Sequence, residues 1–191
     1  NNRYISIQKE GPTYKDTTSG GTEVYGEIDD ESFAHRYDLL TRQDMSRSIV
    51  SKSVTGTEYP EGGFNAAAQI DPFAANVMRA FFKDSASGTV HTFTEPSGTD
   101  VLPSFTIQVG RESSESEFTG MVGNRLSMSA SVGEYVMLSA DFVGCAETYS
   151  AGGRTLQTPT FSDALDALYF SNGSIVFDDG SGNTTASATV K

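Results

Sequence analysis

The chain has 191 residues, with 25 acidic against 13 basic side chains and a formal charge of −12. That balance repels phosphate and argues against a nucleic-acid grip of the repressor or packaging type. A hydrophobic fraction of 37% with 19 glycines and 6 prolines suits a β-rich, turn-rich single domain with a sizeable core, and no run approaches the roughly 18 apolar residues that span a bilayer.

In chain order, residues 4–9 read as a first strand, with Tyr4 and Ser6 on one face and Ile5 and Ile7 on the other. Residues 11–38 form an acidic, Gly/Thr/Ser-rich loop or arm that cannot build a core of its own. Tyr14, Val24, Tyr25, Asp29 and Asp30 are its candidate contact residues. Residues 48–54 and 64–70 read as two further strands, the second entering a helix. The helix has the clearest local signal: Asp71 as N-cap, Pro72 at the first helical position, and a stripe of Phe73, Val77 and Phe81 to pack on the sheet, with an end near Lys83-Asp84. Residues 85–88 read as a turn, 89–94 as a strand and 95–98 as another turn.

Residues 104–144 carry three runs of period two: Phe105/Ile107/Val109, Leu126/Met128/Ala130/Val132 and Val136/Leu138/Ala140/Phe142. Each is expected to bury one face, giving a β-meander. Val132-Gly133-Glu134 joins the last two tightly, while residues 110–123 read as an acidic loop. On that loop Glu112, Glu115 and Glu117 are either a solvated face or a lumen or subunit-contact site. The C-terminal portion, 150–191, reads as β-rich, with a turn or short helix at 162–168, a strand at 173–177 and a β-like pattern from Ala186.

Chemistry-bearing constellations are missing from the pattern. His35 and His91 have no partners at zinc spacing, and Ser6-Ile7-Gln8-Lys9 would put Ser6 and Lys9 on opposite faces of a strand. Asp178-Asp179-Gly180 lacks the spaced ligands of a calcium loop. Asn172-Gly173-Ser174 and Asn183-Thr184-Thr185 match the glycosylation sequon by coincidence in a Ser/Thr-rich chain. No catalytic residue, cofactor or metal is expected. The single Cys145 has no disulfide partner and is expected to be a small buried or boundary residue. The opening Asn1-Asn2-Arg3-Tyr4 has no apolar signal-peptide core, so synthesis in the cytoplasm is expected. Eight arginines against five lysines, with the acid excess, hint at a high-salt host.

Four blocks together resemble the major tail tube proteins of long-tailed, siphovirus-like bacterial and archaeal viruses. They are Arg3-Tyr4-Ile5-Ser6-Ile7-Gln8-Lys9-Glu10-Gly11, then Thr13-Tyr14, then Val54-Thr55-Gly56-Thr57-Glu58-Tyr59-Pro60-Glu61-Gly62-Gly63, and the meander with Phe118-Thr119-Gly120-Met121-Val122-Gly123-Asn124-Arg125. The acidic segment 14–38 is longer than the family pattern. The resemblance implies a mainly β fold with one packing helix, whose sheets join into a barrel when hexameric rings form and stack. Arms 11–38 and the C-terminal tail would bridge rings. Implied partners are further copies of the chain, tail terminator, baseplate or tape-measure proteins, and double-stranded DNA passing through an acidic lumen without specific binding, with no membrane. The implied location is the virion tail, assembled in the host cytoplasm. A capsid decoration or carbohydrate-binding β-sandwich shares this composition, although tryptophan is absent and only Tyr14, Tyr25, Tyr59 and Tyr149 are offered to a sugar.

Overall fold

The computed structural model describes residues 3–16, 20–43, 50–87, 90–112, 114–149, 157–161, 167–170, 174–178 and 184–189. The described residues form thirteen strands and one helix in chain order. They are β1 (Arg3–Lys9), β2 (Val24–Gly26), β3 (Asp30–Glu31), β4 (Ala34–Gln43), β5 (Val50–Ala67), α1 (Pro72–Arg79), β6 (Lys83–Ser87), β7 (Val90–Thr94), β8 (Phe105–Arg111), β9 (Ser114–Ser129), β10 (Met137–Val143), β11 (Ala146–Tyr149), β12 (Ser174–Asp178) and β13 (Thr184–Thr189).

Nine of the strands make one sheet, in the order β2-β1-β8-β9-β10-β5-β3, with β4 also on β5 and β11 also on β9. The meander β8-β9-β10 lies at its centre, each pair antiparallel. Strand β9 belongs to two halves: its first part pairs with β8 and β11, its second with β10. Gly120, at φ +66°, sits at the change-over, in a conformation that a side chain would disfavour and that lets the strand bend. The sheet curls there, and the two halves face each other across one core. Ile5, Ile107, Val109 and Phe118 come from the first half; Phe64, Leu138, Ala140 and Phe142 come from the second. Phe33 spans them, its ring 5.5 Å from that of Phe118 and 6.4 Å from that of Phe142.

Helix α1 caps this core. The Asp71 side chain accepts from the Ala74 amide at 2.7 Å, and Pro72 opens the helix. Phe73 and Val77 are buried, Phe73 with its ring 5.3 Å from Phe64. Burying two such side chains is worth about 1.5–3 kcal/mol each. Phe81 lies beyond the helix and is half-buried against Phe142. Two small hairpins, β6–β7 and β12–β13, stand as separate two-stranded sheets.

Several expectations from periodicity are corrected. Residues 50–67 form one continuous strand rather than two, because Gly62 and Gly63 are absorbed into the β10 ladder. The helix stops at Arg79, and residues 83–87, read partly as helix end and partly as turn, are a strand paired with β7. The segment 110–123 is not an acidic loop: only a short turn after Arg111 precedes β9. Of the second alternating run, Leu126 is half-buried and Met128, near the end of β9, is exposed, while Ala130 and Val132 lie past that end and are exposed in the connection to β10. Cys145 is exposed, its Sγ 3.1 Å from Lys15 Nζ. Residues 162–166 of the expected turn or short helix, and both sequon asparagines, lie outside the described residues.

Candidate assembly surfaces

Two long strand edges of the main sheet have no further strand beside them among the described residues. Strand β4 pairs only with β5. The second part of β9, from Val122 to its end at Ser129, pairs only with β10. Strand β10 lies beside residues 67–61 of β5 with β3 across from it at Asn65 and Phe64, whereas β4 lies beside residues 61–50, so the β4–β5 ribbon projects past the half-sheet β3-β5-β10-β9. An unpaired edge is a template for another strand, and among the described residues no further strand covers either one.

The β4–β5 ribbon adds an apolar surface to one edge. Tyr37, Leu39, Leu40 and Val54 are exposed by 65, 58, 63 and 63%. Leu40 stands opposite Val54 and Leu39 opposite Thr55, so both faces of the ribbon present apolar groups. Sequence reasoning missed this element. The run Tyr37-Asp38-Leu39-Leu40 offers a signal, but it straddles the end of the segment 11–38 read as an acidic loop, and residues 39–47 carry no assigned element.

The segment 11–38 is woven into the fold rather than standing free. Val24 and Tyr25 form β2 and pair with Ile7 and Ser6 of β1; Asp30 pairs with Asn65. Asp29 donates its amide to the Asn65 carbonyl at 2.8 Å. Tyr14 is exposed by 55%, although its hydroxyl donates to the Gly120 carbonyl at 3.1 Å. The chain reversal at 11–16 is held by Glu10, a buried carboxylate that accepts from the Lys15 and Gly120 amides at 2.9 and 2.8 Å, from Thr106 Oγ1 at 3.0 Å and from the Ser104 hydroxyl. A buried charge is tolerated when its oxygens are satisfied in this way.

The three glutamates are dispersed. Glu112 occupies the exposed turn, with φ +52°, and meets Arg3 at 3.1 Å. Glu115 is buried in β9 and accepts from the Tyr4 hydroxyl. Glu117 is half-buried beside Gln108, whose Nε2 donates to it at 3.1 Å. Tyr4 is held above its ordinary range first by burial and then by its bond to Glu115. Tyr25 is pushed up to about 12 by burial, and then by the neighbouring Glu23.

No catalytic arrangement emerges from the described residues. A cleft of about 730 Å³ is lined by Arg3, Glu27, Asp29, Arg111, Glu112 and Phe161 among others. Arg111 there is engaged with Glu31 at 2.8 Å. His91 is held by Asp84 at 2.9 Å, and His35 lies 3.6 Å from Glu58 and from Glu147. Among the described residues no three His, Cys, Asp or Glu side chains cluster to hold a metal ion.

A family model described as phage tail tube protein matches residues 2–191. The chain belongs to the phage tail tube protein family. This is a family of structural proteins and not of enzymes. No curated protein matches the chain. Among solved structures, a chain of the anti-feeding prophage baseplate, 6-fold symmetrised, is similar at a TM-score of 0.50 with 6% identity, covering 77% of this chain and 91% of that one. A chain from the virion of a native gene transfer agent particle gives 0.49 and 8%, covering 78% and 96%. A chain of an extracellular contractile injection system sheath–tube complex gives 0.45 and 8%, covering 78% and 88%. The mainly β architecture with one short helix is thus the family's fold in this tail tube member.

Proposed function

We propose that the chain is the repeating subunit of a viral tail tube, closing into hexameric rings that stack into the conduit for genome delivery. The observation that carries the proposal is a pair of strand edges, β4 and the second part of β9, that are unpaired among the described residues. A head-to-tail contact between the β4 edge of one copy and the β9 edge of the next removes both edges at once, and closes if the rotation is right. The apolar groups of the β4–β5 ribbon then gain cover from the neighbouring copy. Six as the ring number is supported by the symmetry stated for the similar baseplate chain.

The particle would be a long-tailed, siphovirus-like virus of a bacterium or archaeon, with the protein assembled in the host cytoplasm and resident in the virion tail. Its partners would be further copies, then terminator, baseplate or tape-measure proteins at the tube ends. Double-stranded DNA would pass without specific binding, because a subunit of charge −12 offers phosphate no net attraction. Of the residues singled out in the sequence, Tyr14, Asp29, Asp30 and Glu112 are the exposed ones available to a neighbouring subunit or ring. Electron microscopy of the purified chain tests the proposal: rings or tubes with a central channel are expected, and monodisperse monomers at high concentration in both physiological and high salt would refute it.

A further inference from the structure

We infer that His35 is a proton-operated clamp: as an imidazolium it fastens the root of the β4–β5 ribbon to β11, and as a neutral ring it releases the ribbon to swing. This device belongs to the single subunit and stands apart from the tube reading. Phe33, 2% exposed, is fixed in the core two residues before His35. Past the pair His35–Pro60, residues 36–40 of β4 and residues 53–55, 57 and 58 of β5 are exposed. The pairing also slips between Tyr37 and Leu39, so an irregular step joins the outer part of the ribbon to its root. Two strands alone have little stability of their own, and the direction of this ribbon is therefore set where it leaves the core.

At that point the ribbon meets the half of the molecule that carries β11, which pairs with the first part of β9. The Gly144 amide, just ahead of β11, donates to the Pro60 carbonyl at 2.8 Å, a tie that pH does not alter. His35 adds an ionic one. Its Nδ1 lies 3.6 Å from Glu147 Oε2 on β11, and its Nε2 lies 3.6 Å from Glu58 Oε2 on β5. An imidazolium presents an N–H to each carboxylate, whereas a neutral imidazole has only one, so that one carboxylate then faces a bare ring nitrogen. Glu147 bears that loss badly, because only 16% of its side chain is exposed. The other polar groups nearby do not replace the proton. Arg36, the next residue of β4, points to the opposite face and meets Glu61 at 3.1 Å. Tyr37, on the same face of β4 as His35, and Tyr59 of β5 bring phenols and no second cation. On the far side of β11, Glu117 of β9 takes Gln108 Nε2 at 3.1 Å, and Lys15 Nζ is engaged with Cys145 at 3.1 Å. The clamp is closed at the acid end of the histidine range and opens as pH rises through it.

Spin labelling tests the clamp. In a Cys145→Ser background a nitroxide is attached at Leu40→Cys, on the exposed part of the ribbon, and its mobility is followed in dilute protein shown by sedimentation to be monomeric, from about pH 5 to about pH 8. The ratio of mobile to immobile label is expected to rise about two- to fivefold across that range, as the loss of a partly exposed ion pair allows. His35→Gln and Glu147→Gln should each give a mobile label at both ends and no response to pH. His91→Gln should keep the whole response. A parent label equally mobile at both ends overturns the clamp. A response that survives in His35→Gln or in Glu147→Gln overturns it too, as does one that disappears in His91→Gln. Should one variant fail to fold, the parent and the other variant still decide. None of these outcomes touches the tube reading, because no assembled protein is measured.

Discussion

The Tyr4 hydroxyl donates a hydrogen bond to the buried carboxylate of Glu115 across a space that Gly110 leaves open between them. The three residues stand in one row of the sheet, with Tyr4 opposite Gly110 and Gly110 opposite Glu115. A Cβ at position 110 would lie 2.2 Å from Tyr4 Cε1, so the ring occupies the place of the missing side chain. The Gln157 amide donates to the same phenol oxygen at 2.9 Å, tying a C-terminal segment to the first strand.

Gly110→Ala is therefore expected to cost about 2–3 kcal/mol, as the ring is displaced and the Glu115 bond is lost. Tyr4→Phe keeps the packing but leaves the buried Glu115 short of a donor, for a loss of about 1–3 kcal/mol. Denaturant unfolding of the two variants checks both values, and a Gly110→Ala protein as stable as its parent would contradict the row described above.

The two raised tyrosines set an alkaline limit. Their folded values lie above the ordinary 10.0, so the folded state holds these protons more tightly than the unfolded chain. Their contribution is complete below about pH 10 and declines as pH rises through the folded values, about 12 for Tyr25. Tyr4→Phe and Tyr25→Phe should each flatten the fall in unfolding free energy above pH 10, read from denaturant midpoints across an alkaline series.

Glu10 anchors the reversal that follows β1, and Glu10→Ala should cost about 3 kcal/mol or more because four donors lose one acceptor group. Deleting residues 11–30, which a free arm would tolerate, should damage folding, since it removes β2 and the residues that Glu10 holds. Limited proteolysis of Glu10→Ala should show earlier cleavage at 11–16 than in the parent.

At the helix start, burial raises the Asp71 carboxyl above its ordinary 3.8, against the pull of the Ala74 amide. A raised value means that stability is fully present below the unfolded pKa and is partly lost once the folded carboxyl ionises. Asn caps as well as Asp without that ionisation. At neutral pH Asp71→Asn should therefore match or exceed the parent, while Asp71→Ala should lose about 1 kcal/mol; thermal unfolding decides between these orders.

Leu40→Ser with Val54→Ser should leave unfolding free energy within about 0.5 kcal/mol of the parent, because both side chains are exposed on the ribbon. Sedimentation and microscopy should nevertheless show shorter tubes or none. Tubes of normal length would remove the ribbon from the assembly contact.

What the sequence determined by itself was local. Asp71-Pro72 and the Phe73/Val77 stripe announce a helix because capping and a period of 3.6 act within a few residues. Alternation in 105–109 and 136–142 announces strands for the same reason. Glu115 defeated that logic: beside Glu112 and Glu117 it reads as solvated loop, and only Tyr4, from the far end of the chain, gives a buried carboxylate its donor. Met128 failed in the opposite sense, since alternation marks one face of a strand but cannot say whether anything lies across from it, and Val132 lies past the end of β9. The unpaired edges of β4 and β9 are likewise absent from any local pattern, because an edge exists only once every other strand has found its neighbour. Tertiary structure decided these points, for burial and pairing are properties of segments distant in sequence that the fold brings together.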